Sequence, residues 1–285
     1  MSALWQTGAI TAAPGIHDPL TARIAEQAGH SALYLGGNAM ALGLGKGQPF
    51  ITLSETAAIT ARVTATTDLP VLVDAGAGFG EPAHLHLAVR EIEAAGATGL
   101  HIDDQPYPKR AAYHRGQGTL VSPETMARRL RTVVSARRTA AFAIVARTDA
   151  LRVTKSIDET LARCATYVDA GADALMVLDL GPDATEPFRA AFPDTPLIWI
   201  GGVVPPIPSL ATLEQAGFAL ACYPFNGVAL IASGLSDLWA GLARSGTIDQ
   251  PDESLARARK ETLDLVEMQR FWDIESGQGD NHGRA

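Results

Sequence analysis

The chain repeats one pattern, in which an amphipathic helix ends at a glycine and a short apolar strand follows. The pattern occurs at 26–37, 93–104, 169–179 and 214–224. Glycine readily takes the left-handed conformation that ends a helix, and each apolar run after it has the length of a buried strand. Strands that are joined through helices run parallel. The four units therefore predict a parallel sheet covered by helices.

Further apolar runs bring the number of predicted strands to eight, namely 70–75, 142–148, 196–201 and, more weakly, 7–15. Helical stretches alternate with these strands. They lie near 18–28, 54–66, 83–95, 123–137, 157–169, 184–191, 208–216 and 227–244. Eight alternations predict an α/β fold, a closed (β/α)8 TIM barrel. The alternative is a doubly wound open sheet, but its glycine-rich fingerprint is missing after the first strand.

We expect one barrel domain over residues 1–285, with 246–285 as a C-terminal helical extension. The pattern predicts an extra helix at 253–272, whose apolar stripe includes Leu255 and Phe271. An apolar stripe needs a surface to pack on. This surface is either the chain's own barrel or a neighbouring subunit that exchanges the helix, so we expect a homo-oligomer, either a dimer or a tetramer.

Composition excludes several classes of partner. The formal net charge is −8, which repels phosphate backbones and anionic lipid, so we expect neither nucleic acid nor membrane as a partner. The two cysteines, Cys164 and Cys222, lack the spacing of metal ligands and are expected to be buried packing groups. The sequence shows no signal segment and no apolar run long enough to span a bilayer, so we expect a cytoplasmic protein.

Candidate chemistry lies at the carboxyl ends of the predicted strands, where barrels of this fold place their active sites. These positions hold Asp74, Asp103, Asp104, Arg147 and Asp179. Acidic groups and a guanidinium are therefore expected at one mouth of the barrel.

Asp74 and Asp103 follow neighbouring strands and could share a hard cation such as Mg²⁺, with Mn²⁺ as an alternative. They could instead cap helices or bond to loops. Arg147 could grip a substrate carboxylate in two hydrogen bonds. Its alternative is a salt bridge to Asp149 or Asp179.

Two loops complete the candidate site. The turn at Gly36, Gly37 and Asn38 could bring backbone N–H groups close to an anionic oxygen, although such turns are common. The stretch 103–118 is long, polar and cationic, and we expect a mobile lid there rather than an ordinary solvated loop. Its notable side chains are Lys109, Arg110, Tyr113, His114 and Arg115.

Five segments together carry a family resemblance: PGIHDPLTARIAEQAG at 14–29, LYLGG at 33–37, VDAGAGFG at 73–80, HIDDQPYPKR at 101–110 and IVARTDA at 144–150. As a set they resemble the isocitrate lyase/phosphoenolpyruvate mutase superfamily over nearly the whole chain. The resemblance implies a Mg²⁺-dependent barrel that stabilises the enolate of pyruvate or a related anion. Many such enzymes are tetramers in which the last helix is swapped between subunits.

The resemblance also implies roles for single residues. Asp74 would ligate the metal directly, and Asp103 would replace the usual glutamate that holds a metal-bound water. Arg147 would bind the substrate carboxylate. The remaining roles are backbone N–H groups from Gly36 and Gly37, a tyrosine near the reacting carbon at Tyr34, and a gating-loop lysine at Lys109.

Several positions depart from the superfamily pattern. Lyase members carry a proton-donating cysteine in a KRCGH-like loop, where this chain has Ala111. Polar groups expected at four further positions are replaced by Gly47, Gly76, Leu178 and Ile200. A metal would be held less firmly, and the substrate would be less polar than isocitrate.

The sequence therefore predicts a lyase that acts on a small anionic organic acid, a 2-hydroxy or 2-oxo (di)carboxylate, by C–C cleavage or decarboxylation through an enolate. Tyr34 or His114 would transfer the proton in place of the missing cysteine. One alternative is mutase or hydrolase chemistry on a phosphonopyruvate-like substrate. Another is a barrel that binds a small acid without turning it over.

Overall fold

The computed structural model describes residues 2–5, 8–115 and 118–277, and of His114 it describes the backbone alone. The chain divides into two compact units, Met1–Val228 and Ala229–Ala285. In the first unit, eight parallel strands close into a barrel in which each strand pairs with the next and β8 pairs with β1. The predicted (β/α)8 fold is confirmed. The strands are β1 Thr11–Ile16, β2 Leu33–Leu35, β3 Val71–Asp74, β4 Gly99–Asp103, β5 Ala143–Thr148, β6 Ala174–Val177, β7 Leu197–Ile200 and β8 Phe218–Tyr223.

The helices follow the predicted order, with two short helices that the pattern did not predict, α2 and α6. They are α1 Pro19–Gln27, α2 Gly37–Gly43, α3 Leu53–Thr64, α4 Pro82–Ala94, α5 Pro123–Ala136, α6 Ala150–Thr154, α7 Ile157–Asp169, α8 Glu186–Ala191, α9 Leu210–Gln215, α10 Asn226–Ser245, α11 Asp252–Leu265 and α12 Met268–Glu275. Polar N-cap residues fix where several of these helices begin. Asp18, for example, accepts the backbone N–H of Thr21 at 2.8 Å, which satisfies a donor that has no partner within the helix.

The four glycines of the repeated pattern end their helices as the sequence predicts. Gly29, Gly96, Gly171 and Gly217 have φ angles of 87°, 90°, 98° and 84°. A side chain at such a φ is strained, so glycine is the residue that lets each helix stop and the next strand begin.

Strand side chains alternate between two cores. One set faces the surrounding helices, as Val73, Leu100 and Ile144 do, within a large buried cluster that includes residues of the helices. The other set fills the barrel interior and includes Tyr34, Leu72, Val145, Met176, Ile198 and Leu220. This period-two alternation leaves an apolar plug below the carboxyl ends of the strands.

The second unit corrects one prediction. The single helix expected at 253–272 is two helices, because Glu267 between α11 and α12 has a φ of 56°, which a right-handed helix cannot include. Apolar side chains of this unit are exposed, among them Trp239, Leu255, Phe271 and Trp272. Of the helices in the described ranges, none has the length and apolar character needed to cross a bilayer.

Candidate active site

Strand register brings the three predicted side chains together. Asp74 at the end of β3 is the pairing partner of His101 in β4, and Asp103 at the end of β4 is the partner of Arg147 in β5. Asp74, Asp103 and Arg147 are 5%, 0% and 6% exposed. The two acids and the guanidinium therefore share one buried site at the mouth of the barrel.

His101 joins the two acids into a cluster that the sequence analysis missed. Its Nε2 lies 3.6 Å from Asp74 Oδ1, and its Nδ1 lies 3.2 Å from Asp103 Oδ1. The Tyr34 hydroxyl lies 2.9 Å from the same Nε2, on the side of the apolar plug. His101 precedes Asp103 by two residues, and this period-two spacing on a strand was the available signal.

Backbone amides hold the Asp74 carboxylate in place. The Gly37 N–H donates to Oδ2 at 3.0 Å, the Gly76 N–H donates to Oδ1 at 2.8 Å, and Gln48 approaches Oδ2 at 3.4 Å. The turn expected at 36–38 is instead the start of α2, with Gly36 as its N-cap and Asn38 half-buried in its first turn. The Gly37 N–H thus donates to the Asp74 carboxylate, whereas the sequence analysis predicted that it lies close to an anionic substrate oxygen.

Two cations hold Asp103 in its charged form. The Lys109 ammonium lies 2.5 Å from Oδ2, and Arg147 Nε lies 3.7 Å from Oδ1. Burial by itself would raise the pKa of Asp103, but Arg147 and Lys109 outweigh it and hold that pKa well below its ordinary value. Asp103 is therefore a carboxylate at neutral pH.

Arg147 bonds both to a strand-end acid and to the predicted lid. Its Nε donates to Asp149 Oδ1 at 3.0 Å, and its Nη2 donates to the Tyr113 hydroxyl at 2.7 Å. Of the two salt-bridge partners considered for it, Asp149 is the one present. Asp179 lies outside the site, because it pairs with Arg152 at 2.8 Å near the surface.

Among its described residues, the segment after β4 contacts the site through side chains that include Lys109 and Tyr113. Lys109 reaches Asp103, and Tyr113, in a 3-10 turn at Ala111–Arg115, reaches Arg147. Tyr113 is 8% exposed. The His114 side chain, predicted to transfer a proton, lies outside the described residues. Tyr113 gave no motif signal, since it follows no strand directly.

Asp104 has a different role from the acids beside it. It faces away from the barrel interior and accepts hydrogen bonds from the Thr148 hydroxyl at 2.6 Å, the Tyr167 hydroxyl at 2.9 Å and the Asp149 N–H at 3.0 Å. These bonds join β4, β5 and α7. Asp104 therefore holds the backbone of Asp149 in place, and Asp149 in turn pairs with Arg147.

The donor set at this mouth fits a divalent cation. Asp74, His101 and Asp103 each offer one ligand atom, and these atoms lie within 4.8 Å of one another. Asp103 Oδ1 and His101 Nδ1 lie 3.2 Å apart, but their orientation gives neither atom a hydrogen bond among the described residues, and a buried polar atom without one is costly unless something else satisfies it. Carboxylate oxygens are the ligands that Mg²⁺ and Mn²⁺ prefer.

A cavity of about 80 Å³ adjoins Asp74 and is lined also by Gly37, Gln48, Gly76 and Lys109. A Cβ added at Gly76 or Gly47 would meet nothing within 4 Å. The two acids that the superfamily pattern places at these positions are therefore replaced by open space, which no side chain of the described residues fills.

Comparison with known proteins agrees with this geometry. The sequence profile of the family described as phosphoenolpyruvate phosphomutase matches residues 1–235. The chain is 36% identical over 240 residues to a probable 2-methylisocitrate lyase of Corynebacterium glutamicum, covering 82% of this chain and 77% of that one. It is 30% identical over 282 residues to the 2,3-dimethylmalate lyase of Eubacterium barkeri, covering 96% of both.

A solved structure shares the fold. It is a phosphonopyruvate hydrolase in complex with oxalate and Mg²⁺, which superposes with a TM-score of 0.85 at 24% identity and covers 96% of each chain. The match of the family profile to most of the chain and the identity to two lyases agree with each other. The chain therefore belongs to the phosphoenolpyruvate phosphomutase family, within the isocitrate lyase/phosphoenolpyruvate mutase superfamily of carbon–carbon lyases.

Proposed function

We propose that this protein is a metal-dependent lyase that cleaves or decarboxylates a small 2-hydroxy or 2-oxo (di)carboxylate through an enolate. The observation that carries the proposal is the meeting of Asp74, Asp103 and Arg147 in one buried site at the barrel mouth. Two acids can hold a cation there, and a guanidinium beside them can hold an organic anion.

Arg147 is the proposed carboxylate-binding group. Its Nε and Nη2 are oriented by Asp149 and Tyr113, so the guanidinium is fixed before the substrate arrives. Gly36, Gly37 and Asn38 form the opposite side of the proposed substrate site. The Gly37 N–H would be shared there between Asp74 and a substrate oxygen.

Asp74 and Asp103 are the proposed metal ligands, with Mg²⁺ as the ion and Mn²⁺ as the alternative. A divalent cation at this place supplies positive charge beside the developing enolate, which lowers the barrier by several kcal/mol in metal-assisted reactions. Lys109 closes the site over Asp103 and adds a further positive charge.

Tyr34 is the proposed acceptor of the proton from the substrate hydroxyl. Its hydroxyl can pass its own proton to His101 Nε2, 2.9 Å away, while it takes the proton of the substrate. Asp103 orients the ring for this transfer, because its Oδ1 lies 3.2 Å from Nδ1.

A substrate panel tests the proposal. The purified protein is incubated with 2-methylisocitrate, 2,3-dimethylmalate and oxaloacetate, with Mg²⁺ or with EDTA, and 2-oxo acid products are measured. We expect Mg²⁺-dependent turnover of at least one acid and its loss in Asp74→Ala. Turnover and metal affinity that are unchanged in Asp74→Ala would contradict the metal scheme.

Two alternatives are decided when phosphonopyruvate is added to the panel and oxalate binding is measured. Phosphorus–carbon chemistry is favoured by Ala111, because the proton-donating cysteine of the lyases is not needed for it; release of phosphate from phosphonopyruvate, or its conversion to phosphoenolpyruvate, would identify it. A barrel that binds small acids without turnover would bind oxalate and transform none of the acids in the panel.

Assembly and location also belong to this proposal. The exposed Trp239, Phe271 and Trp272 favour a homo-oligomer, a dimer or tetramer with an exchanged C-terminal helix, which sedimentation analysis would test. The buried free thiols of Cys164 and Cys222 fit a reducing cytoplasm. The negative net charge argues against nucleic acid as a partner.

A further inference from the structure

The inward-facing positions at the carboxyl ends of β6 and β7 are apolar, unlike those of β3 to β5. Met176 in β6 belongs to the apolar plug, so the alternation of strand side chains places Leu178, two residues later, one step higher on the same inward face. Ile198 and Ile200 follow the same rule in β7, and the half-buried Ile200 packs against the plug. Leu178 is 7% exposed, and its N–H continues the ladder by donating to the Thr148 carbonyl at 3.0 Å. These two strands therefore end in hydrocarbon, where β3 to β5 end in acids and a guanidinium.

The loop after β7 extends this apolar surface. It reads GGVVPPIP at 201–208, and Val203, Val204 and Ile207 are 52%, 77% and 47% exposed. Apolar side chains that are exposed next to each other mark a place where an apolar group binds. Together with Leu178 and Ile200, this loop forms what we call the apolar half of the mouth.

The apolar half borders the proposed substrate site on two sides. On one side, Leu178 bonds through its N–H to Thr148, the residue after Arg147. On the other side, Pro224 directly follows β8, and its carbonyl oxygen would lie 3.5 Å from a Cβ added at Gly36. Arg147 and Gly36 are both assigned to the substrate by the proposed function. A molecule that both of them bind therefore lies against the apolar half.

The chemistry of this surface selects what part of a substrate can lie on it. Its side chains offer a carboxylate neither a cation nor a hydrogen-bond donor, so a second carboxylate turned towards them would lose water without compensation. A hydrocarbon arm gains affinity there instead. Each buried methylene contributes about 0.8 kcal/mol, which is about fourfold in affinity.

We infer that the substrate is a malate-type or oxaloacetate-type acid whose third carbon carries a hydrocarbon arm longer than a methyl group. This inference rests on the proposed function and adds no covalent step to it. The first carboxylate binds Arg147 and the oxygen on the second carbon faces Asp74 and Asp103, so the third carbon is the next atom that can carry an arm. Leu178 and Ile200 lie on neighbouring strands about 4.8 Å apart, and a methyl group is too short to contact both.

A series of straight-chain 2-oxo acids tests the arm without requiring turnover. Pyruvate, 2-oxobutanoate, 2-oxopentanoate and 2-oxohexanoate share the carboxylate and the oxo group and add one methylene at a time. Their dissociation constants are measured by calorimetry on the wild type with Mg²⁺, and oxalate is the reference that has no arm. We expect 2-oxohexanoate to bind at least about tenfold more tightly than pyruvate, and up to about 60-fold if all three added methylenes are buried.

Turnover gives a second measurement on the wild type. The substrate panel is extended by 3-propylmalate and 3-propyloxaloacetate, each compared with its unsubstituted parent acid. We expect kcat/KM for one of the two to exceed that of its parent by about tenfold or more, for the same reason. A parent acid that is turned over as well as its propyl derivative would overturn the inference.

An exchange of one side chain locates the arm. Ile200→Asn places an amide in the apolar half, and we expect it to bring the dissociation constants of pyruvate and 2-oxohexanoate to within about threefold of each other. Oxalate should bind as it does to the wild type, because it has no arm. The control is Ile24→Asn, the same exchange at a position of α1 that is 51% exposed, which should keep the preference of the wild type.

The outcomes separate this inference from the proposed function. If the wild type binds oxalate but all four 2-oxo acids equally well, the inference is overturned and the proposed function is intact. A preference for the longer arm that persists in Ile200→Asn would also overturn it, since the arm would then lie elsewhere. Equal affinities for the four acids, together with dissociation of an oligomer by Val204→Asp, would identify the apolar half as a subunit interface instead. If the wild type binds none of these acids with Mg²⁺ and turns over nothing in the panel, the proposed function itself fails.

Discussion

Replacing Asp103 by asparagine removes one negative charge from the buried cluster and keeps the shape of the side chain. The Lys109 ammonium, 7% exposed, then faces a neutral amide, and Arg147 keeps Asp149 as its remaining close acid. Breaking a buried ion pair costs about 3–5 kcal/mol, and we take about 3 kcal/mol because Arg147 stays paired. At about 2–4 °C for each kcal/mol in a domain of this size, the melting temperature should fall by about 6–12 °C.

The loss of stability in Asp103→Asn should depend on pH. The pKa of Asp103 is depressed in the folded protein, so its charged form stabilises the fold above the unfolded value of about 3.9, and this contribution disappears as pH falls through the folded pKa. The difference in stability between Asp103→Asn and the wild type should therefore be full at pH 7. It should shrink below about pH 4.

The assay is thermal unfolding followed by circular dichroism, with and without Mg²⁺. Mg²⁺ at about 100 times its dissociation constant should stabilise the wild type by about 2.7 kcal/mol. Asp103→Asn should lose most of that stabilisation. The matched control is Asp179→Asn, which breaks an Asp–Arg pair that is 42% exposed on its acidic side and should cost less than about 1 kcal/mol. Equal melting temperatures and equal Mg²⁺ shifts for Asp103→Asn and the wild type would refute the reasoning.

Three further predictions concern the same mouth. Gly37→Ala should weaken Mg²⁺ binding measured by calorimetry, because the new Cβ would lie 2.9 Å from Asp74 Oδ2; Gly181→Ala, whose Cβ meets nothing within 4 Å, should not. Gly47→Asp should tighten Mg²⁺ binding by roughly tenfold, since metal affinity follows the number of charged ligands; an unchanged affinity would show that this position does not face the ion. Arg147→Lys should lower kcat/KM by about 100-fold through loss of the planar fork, and an equal kcat/KM would remove Arg147 from substrate binding.

The sequence predicts the barrel well because its signals are local. Each glycine at the end of a helix needs only its own backbone conformation, and each apolar strand needs only its own pattern. The same signals locate Asp74, Asp103 and Arg147, since strand ends in a parallel barrel converge on one mouth. Locating the strands in the sequence therefore predicts both the fold and the main residues of the site.

The remainder depends on contacts between distant segments. The bond between Tyr113 and Arg147 spans 34 residues and follows from how the segment after β4 folds, which no periodicity encodes. The Gly37 amide could bind either a substrate or Asp74, and only the packing of α2 beside β3 decides between them. The break at Glu267 depends on a single backbone angle inside a pattern that is helical on both sides.

The apolar plug beneath the cluster has an evolutionary consequence. Leu72, Val145 and Met176 carry the packing of the barrel interior, while Gly47, Gly76 and Ala111, which depart from the superfamily pattern, lie in the loops and turns between strands and helices. Mutations in these loops can alter the chemistry without disturbing the scaffold on which it rests. A lineage built on this barrel can therefore explore new substrates while its thermal stability stays nearly constant.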